Sequence, residues 1–168
     1  ALVFSQSRVV RRSFYPYAIA LQTVPIVAIA PLIVNWFGEG FQSVVLVTVI
    51  ISLFPVITSV TTGLTSIDEG LHDLFQLNQA SRWQQLVKLR IPSAIPSLVT
   101  GARTAAGLAV VGAIVGEFFA GASVTERGLG YFVLYAVPNL QTDLLFGCVI
   151  AATLLGVVMF VAVSVVGT

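Results

Sequence analysis

Uncharged, predominantly apolar runs extend from Ser13 to Gly38, from Gly40 to Ile67 and from Leu144 to Thr168. Each is longer than the ~20 residues an α-helix needs to cross a hydrocarbon core. A further run, Ile91 to Gly116, is interrupted only by Arg103. The pattern predicts four membrane spans, over residues 15–37, 41–64, 94–116 and 142–166. Two connecting stretches punctuate them: a charged loop over 66–92, and a mildly apolar segment over 117–141 in which Gly128–Val137 reads as a short helix. The β-branched run Val44–Leu53 would suit a buried strand in water. A transmembrane barrel, however, alternates apolar and polar residues in short segments, and this chain does not.

Composition fixes the solvent. Hydrophobic residues make up 57% of the chain and charged residues 9%, against roughly 25% charged in a soluble domain. The expected class is an all-α polytopic membrane protein in a lipid bilayer, a single transmembrane domain over 1–168; a soluble bundle with buried helices rarely carries uncharged runs of this length.

Arg8, Arg11 and Arg12 precede the first span, and Arg82, Lys88 and Arg90 follow the second. The positive-inside rule places both groups on the cytoplasmic side and the turn at Glu39 outside. The chain opens at Ala1 without a signal-peptide pattern, so it reads as a piece of a longer polytopic protein with N-terminal helices missing. The lone Cys148 reads as a small buried thiol.

The charged loop has helical grammar. Ser66-Ile-Asp-Glu69 matches a capping box ahead of Leu71, Leu74 and Phe75, and Ser81-Arg-Trp-Gln84 matches a second. The second helix places Trp83, Leu86 and Val87 on one stripe edged by Arg82, Lys88 and Arg90, and Pro92 is expected to end it. Two short helices joined at Gln79-Ala80 would form a knuckle. From these residues alone, docking to a soluble partner and resting on lipid headgroups are nearly level readings.

In the third span Gly101, Ala105 and Ala109 recur at intervals of four, and Gly112 and Gly116 form a GxxxG element. Small residues let helix backbones approach closely in lipid. Arg103 and Glu117 project within roughly 40° of each other but about 21 Å apart along the axis, so they cannot pair. Ionisable groups in a span are candidate pathway residues, as are Gln22 and Ser52 beside the helix-bending Pro25, Pro31 and Pro55. Snorkelling and ordinary interhelical hydrogen bonding are the alternatives. No metal-ligand or nucleophile–base constellation lies within the spans, and His72 falls in the charged loop.

Asp73-Leu-Phe-Gln-Leu-Asn-Gln79-Ala-Ser-Arg-Trp-Gln84, followed by Leu89-Arg-Ile-Pro92, resembles the cytoplasmic EAA loop of binding-protein-dependent ABC importer permeases. The family pattern is E-A-A-x-x-x-G, then I-x-L-P nine residues on. Spacing matches throughout, with Asp73 at the Glu, Gln79 at the glycine and Pro92 retained. Leu21–Leu32 with Trp36-Phe-Gly38, Ala94–Arg103, Val111–Phe118 and Gly128–Tyr131 look like the nitrate/sulfonate/taurine branch. Val111–Phe118 and Leu140–Asp143 are most similar to hydroxymethylpyrimidine or riboflavin permeases.

The resemblance implies a type I importer permease bundle in the bacterial inner membrane, with a coupling helix and about four spans in this chain. It implies as partners a cytoplasmic ATPase dimer, an extracytoplasmic solute-binding protein and a second permease copy in a homodimer, with no nucleic acid. Asp73, Gln79, Ala80, Ser81, Arg82, Trp83 and Gln84 would form the ATPase-coupling segment. The chain has no G-x-x-x-x-G-K-[ST] phosphate loop, so no cofactor is expected in it; ATP and Mg belong to the partner ATPase. It would carry a small organic solute or an oxyanion such as nitrate. A non-transporting membrane anchor is the alternative. A secondary carrier would show internal repeats and paired midplane carboxylates, which are not found.

Overall fold

Helix follows helix along this chain because its apolar runs leave backbone groups no partner but their own. A computed structural model describes residues 23–120 and 127–167. Gln22, the N-terminal arginines and residues 15–22 of the first expected span lie outside the described residues, as do 121–126.

Helix α1 spans Ile26–Phe37, α2 Phe41–Thr65, α3 Glu69–Leu77, α4 Arg82–Gln85, α5 Ile91–Ala120, α6 Leu129–Ala136 and α7 Thr142–Val166. Among the described residues, three stretches are long and apolar enough to cross a membrane: Phe41–Thr65, Arg82–Ala120 and Thr142–Val166. The segment after Gln22 is shorter than expected because helix is broken at Val24-Pro25, and α1 restarts only after Pro25, whose fixed φ of −67° sits at the cap.

One expectation is overturned at Pro92. Instead of ending there, α4 passes through a π-helical turn, Leu86–Arg90, directly into α5. The result is a continuous helix of 39 residues from Arg82 to Ala120, about 58 Å long. Ile91 N–H donates to the Leu86 carbonyl five residues back, and this wider turn gives the Pro92 ring room that an α-turn would deny it. Leu86 and Leu89 are buried within the turn and hold it in place.

The α1–α2 turn needs glycine at Gly38 (φ 85°) and Gly40 (φ 121°), a region closed to most side chains. Fully buried Ser43 donates to the Gly38 carbonyl at 2.5 Å, and Gly40 N–H donates to Ala120 O at 3.0 Å, tying the turn to the end of α5.

Helices α2 and α5 run antiparallel in the closest contact of the fold. A Cβ placed on Gly112 would stand 2.9 Å from the Thr48 Cα, and one on Gly116 2.9 Å from the Val44 Cα. Toward the other end Gly101 faces Ser59 and the Pro55 carbonyl. Ala105 is buried and Ala109 half-buried along the same helix. Helix α1 closes the core, with Ala30 and Ile33 against Val47 and the partly buried Val115 and Phe119. Helix α7 flanks α5 and α6 with almost all of its surface open; Cys148, a free thiol, is its buried residue.

Candidate functional site

The loop between α2 and α5 is built by two caps and a left-handed turn. Asp68 caps α3, its carboxylate accepting from Gly70 N at 2.8 Å and Leu71 N at 3.2 Å. Ser66, expected in that role, instead ends α2, where its N–H donates to Thr62 O. The aspartate lies immediately before the first helical residue and wins by proximity. The second box forms as read: Gln84 N–H donates to Ser81 Oγ at 3.2 Å, and Ser81 N–H donates to Gln84 Oε1 at 2.8 Å.

At the end of α3, Gln79 N–H donates to Gln76 O at 2.9 Å and Ala80 N–H to Phe75 O at 3.0 Å. Together with φ of 50° at Gln79, these bonds make a Schellman motif with Gln79 at the position that favours glycine. Asn78 Nδ2 donates to Leu74 O, and Gln85 Nε2 to Ala80 O, so the knuckle is cross-tied on both sides.

The knuckle presents apolar groups to solvent. Trp83 is 70% exposed and Leu77 83%, with Leu71, Leu74 and Val87 also exposed. Asp73, Arg82, Ser81, Gln84 and Lys88 surround them in exposed positions. Between the two short helices lies a depression of about 320 Å³ lined by Leu74, Phe75, Asn78, Ala80, Gln84 and Lys88. Large exposed apolar patches rimmed by polar residues are typical of interaction surfaces. The sequence reading missed Leu77, although the i, i+3, i+6 spacing of Leu71, Leu74 and Leu77 carried the signal.

The pathway candidates do not converge. Ser52 Oγ donates back to Thr48 O within its own helix at 2.8 Å, as Thr58 does to Phe54 O. Such back-bonding satisfies a hydroxyl without a partner helix. Arg103 lies between α5 and α7, with Nη2 3.5 Å from Ser164 O and Nε buried without a partner among the described residues. Glu117 lies toward the other end of α5, where Oε2 accepts from Gly130 N at 2.6 Å. Among the described residues no cluster of His, Cys, Asp or Glu is suited to a metal ion.

Residues 1–168, the entire chain, match the family described as binding-protein-dependent transport system inner membrane component. The chain belongs to this family. Among curated relatives, this permease is 38% identical to the formylaminopyrimidine transport permease ThiX of Halalkalibacterium halodurans, over 97% of this chain and 63% of that one. It is 36% identical to the riboflavin transport permease RibX of Chloroflexus aurantiacus, over 92% of this chain and 56% of that one. The taurine transport permease TauC of Escherichia coli is 33% identical over 82% of this chain and 48% of its own. The chain thus spans about half to two thirds of the length of these relatives.

Gln79 is the left-handed residue of the Schellman motif, a position that favours glycine. A side chain there costs about 1 kcal/mol relative to glycine. Gln79→Gly is therefore expected to stabilise the knuckle by up to about that amount, seen as slower limited proteolysis within 66–92. Faster cleavage would show that Gln79 does not hold the left-handed conformation.

Proposed function

We propose that this permease forms the membrane pathway of an ATP-driven importer and that the knuckle over Asp73–Gln84 couples it to a cytoplasmic ATPase dimer. The observation that carries this reading is the apolar face of Leu74, Leu77 and Trp83, exposed at the end of a charged loop. Exposed aromatic and Arg side chains are the groups that dominate interface energetics once buried, which makes Trp83 and Arg82 the anchors. ATP and Mg act in the partner; this chain supplies shape and motion.

Two such chains would form the pathway, and an extracytoplasmic binding protein would deliver the solute. The solute class that the relatives favour is a small heteroaromatic molecule, a thiamine-precursor pyrimidine or a flavin, ahead of sulfonates and oxyanions. Uptake of labelled formylaminopyrimidine, riboflavin, taurine and nitrate by cells expressing the complete transporter tests this. Accumulation of one of the first two supports the proposed class; accumulation only of nitrate or taurine would reassign it.

A further inference from the structure

Helix α6 begins without a cap of its own. Its N-cap residue is Gly128, which has no side chain to accept the free N–H groups of the first turn. The acceptor comes instead from Glu117 on α5, thirteen positions earlier, whose Oε2 takes the Gly130 N–H at 2.6 Å. The carboxylate occupies the space a local cap would fill: a Cβ on Gly128 would overlap the Glu117 carboxyl group, and one on Gly130 would stand 2.6 Å from the Glu117 Cβ and 2.5 Å from the Ile114 carbonyl oxygen. The negative charge also faces the positive end of the α6 dipole. The two glycines and the carboxylate are complementary parts of one joint.

Glu117 belongs to the same continuous helix that begins at Arg82 in the knuckle. The two residues are about 52 Å apart along its axis. Near the knuckle the helix is seated by the π turn with buried Leu86 and Leu89, and along its length by the close contact with α2. A displacement entering at Arg82–Trp83 would reach the far end of α5 if the helix, with Pro96 inside it, moves as a unit, and there the Glu117 joint meets α6, which also packs on α7.

We propose that Glu117 is a positioning residue that locks α6 to α5, so that motion at the coupling knuckle is delivered to α6 on the opposite side of the protein. The inference rests on the transport reading above, and it assigns Glu117 a mechanical role in place of a solute contact.

The test uses the complete transporter in lipid, with Glu117→Gln, Glu117→Ala and Gly128→Ala. Two measurements are made on each. The first is the distance distribution between spin labels at the exposed positions Leu98→Cys on α5 and Tyr135→Cys on α6, in a Cys148→Ser background. The second is the ratio of ATP hydrolysis with and without loaded binding protein. Glu117→Gln keeps an oxygen acceptor and is expected to retain a narrow distribution and at least half of the stimulation. Glu117→Ala and Gly128→Ala are expected to broaden the distribution and reduce stimulation about tenfold, the size of effect for a lost charge-assisted hydrogen bond, with unstimulated hydrolysis retained. Unchanged distance and stimulation in both Glu117→Ala and Gly128→Ala would overturn the joint. A broadened distribution with full stimulation would leave a purely structural cap and overturn the positioning role. A wild-type protein with no associated ATPase activity would instead sink the transport reading, while the label distances still report on the joint itself.

Discussion

Trp83→Ala is expected to lower ATP-driven uptake by at least tenfold while leaving the protein in the membrane at its normal level. The expectation follows from what Trp83 does not do in this fold. Its side chain is 70% exposed, and the box that starts α4 is made by Ser81 and Gln84, so truncation removes no internal support. In a coupled transporter the same side chain would be buried against the ATPase, where loss of an aromatic anchor commonly costs ~2 kcal/mol or more, about thirtyfold in affinity. Coupling further requires that the contact differ between the two states of the pathway, because a contact equally strong in both shifts nothing. The variant should therefore lose stimulation of hydrolysis along with uptake. Normal uptake in Trp83→Ala cells, at matched protein level, would remove the knuckle from the mechanism.

The second large effect is expected in the membrane core. Gly112→Leu and Gly116→Leu should each destabilise the α2–α5 pair by about 3 kcal/mol or more, at the upper end of overpacking costs. The opposing atoms are the backbone Cα atoms of Thr48 and Val44 at 2.9 Å from the new Cβ, and backbone cannot rotate away as a side-chain tip can. Gly107 on the same helix is the control: it is exposed, and a Cβ there meets nothing within 4 Å. Gly107→Ala should gain about 0.5–1 kcal/mol of helix stability. Thermal unfolding of the purified protein in detergent, read alongside expression yield, separates the two cases. Equal behaviour of Gly112→Leu and Gly107→Ala would mean that α2 and α5 do not pack through this stripe.

Much of the fold was legible in the sequence because lipid leaves a chain few choices. Uncharged runs mark helices, and the recurrence of Gly101, Ala105, Gly112 and Gly116 marks a close-packed helix face. The Ser81–Gln84 box was legible too, being local and chemically specific. Features that depend on competition between neighbours were harder. Ser66 and Asp68 can both cap a helix, and only the trajectory of the chain shows that Asp68 lies against the free N–H groups of α3 while Ser66 finishes α2. Pro92 reads as a stop in sequence, yet a π turn carries the helix through it.

Long-range polar geometry was not legible at all. Glu117 stood out as an ionisable candidate pathway residue near the end of a span, and Gly128 and Gly130 lay within the stretch Gly128–Val137 read as a short helix. Nothing in their spacing announces that the carboxylate fills the cap position of α6, because the intervening chain does not fix where two helices meet. Ser52 is a case where local bonding competes with a long-range reading. A hydroxyl in a bent apolar helix suggests a lined cavity, but its bond to Thr48 O satisfies it locally.

The central claim is that the knuckle over Asp73–Gln84 couples this permease to an ATPase. Its most direct test is vanadate-sensitive ATP hydrolysis by the full-length permease reconstituted with its candidate ATPase, for wild type and Trp83→Ala side by side. The account predicts that the two proteins co-purify, that the wild-type complex hydrolyses ATP in response to loaded binding protein, and that Trp83→Ala weakens both association and response. Failure of the wild-type permease to associate with the ATPase, or an undiminished response in Trp83→Ala, would contradict it.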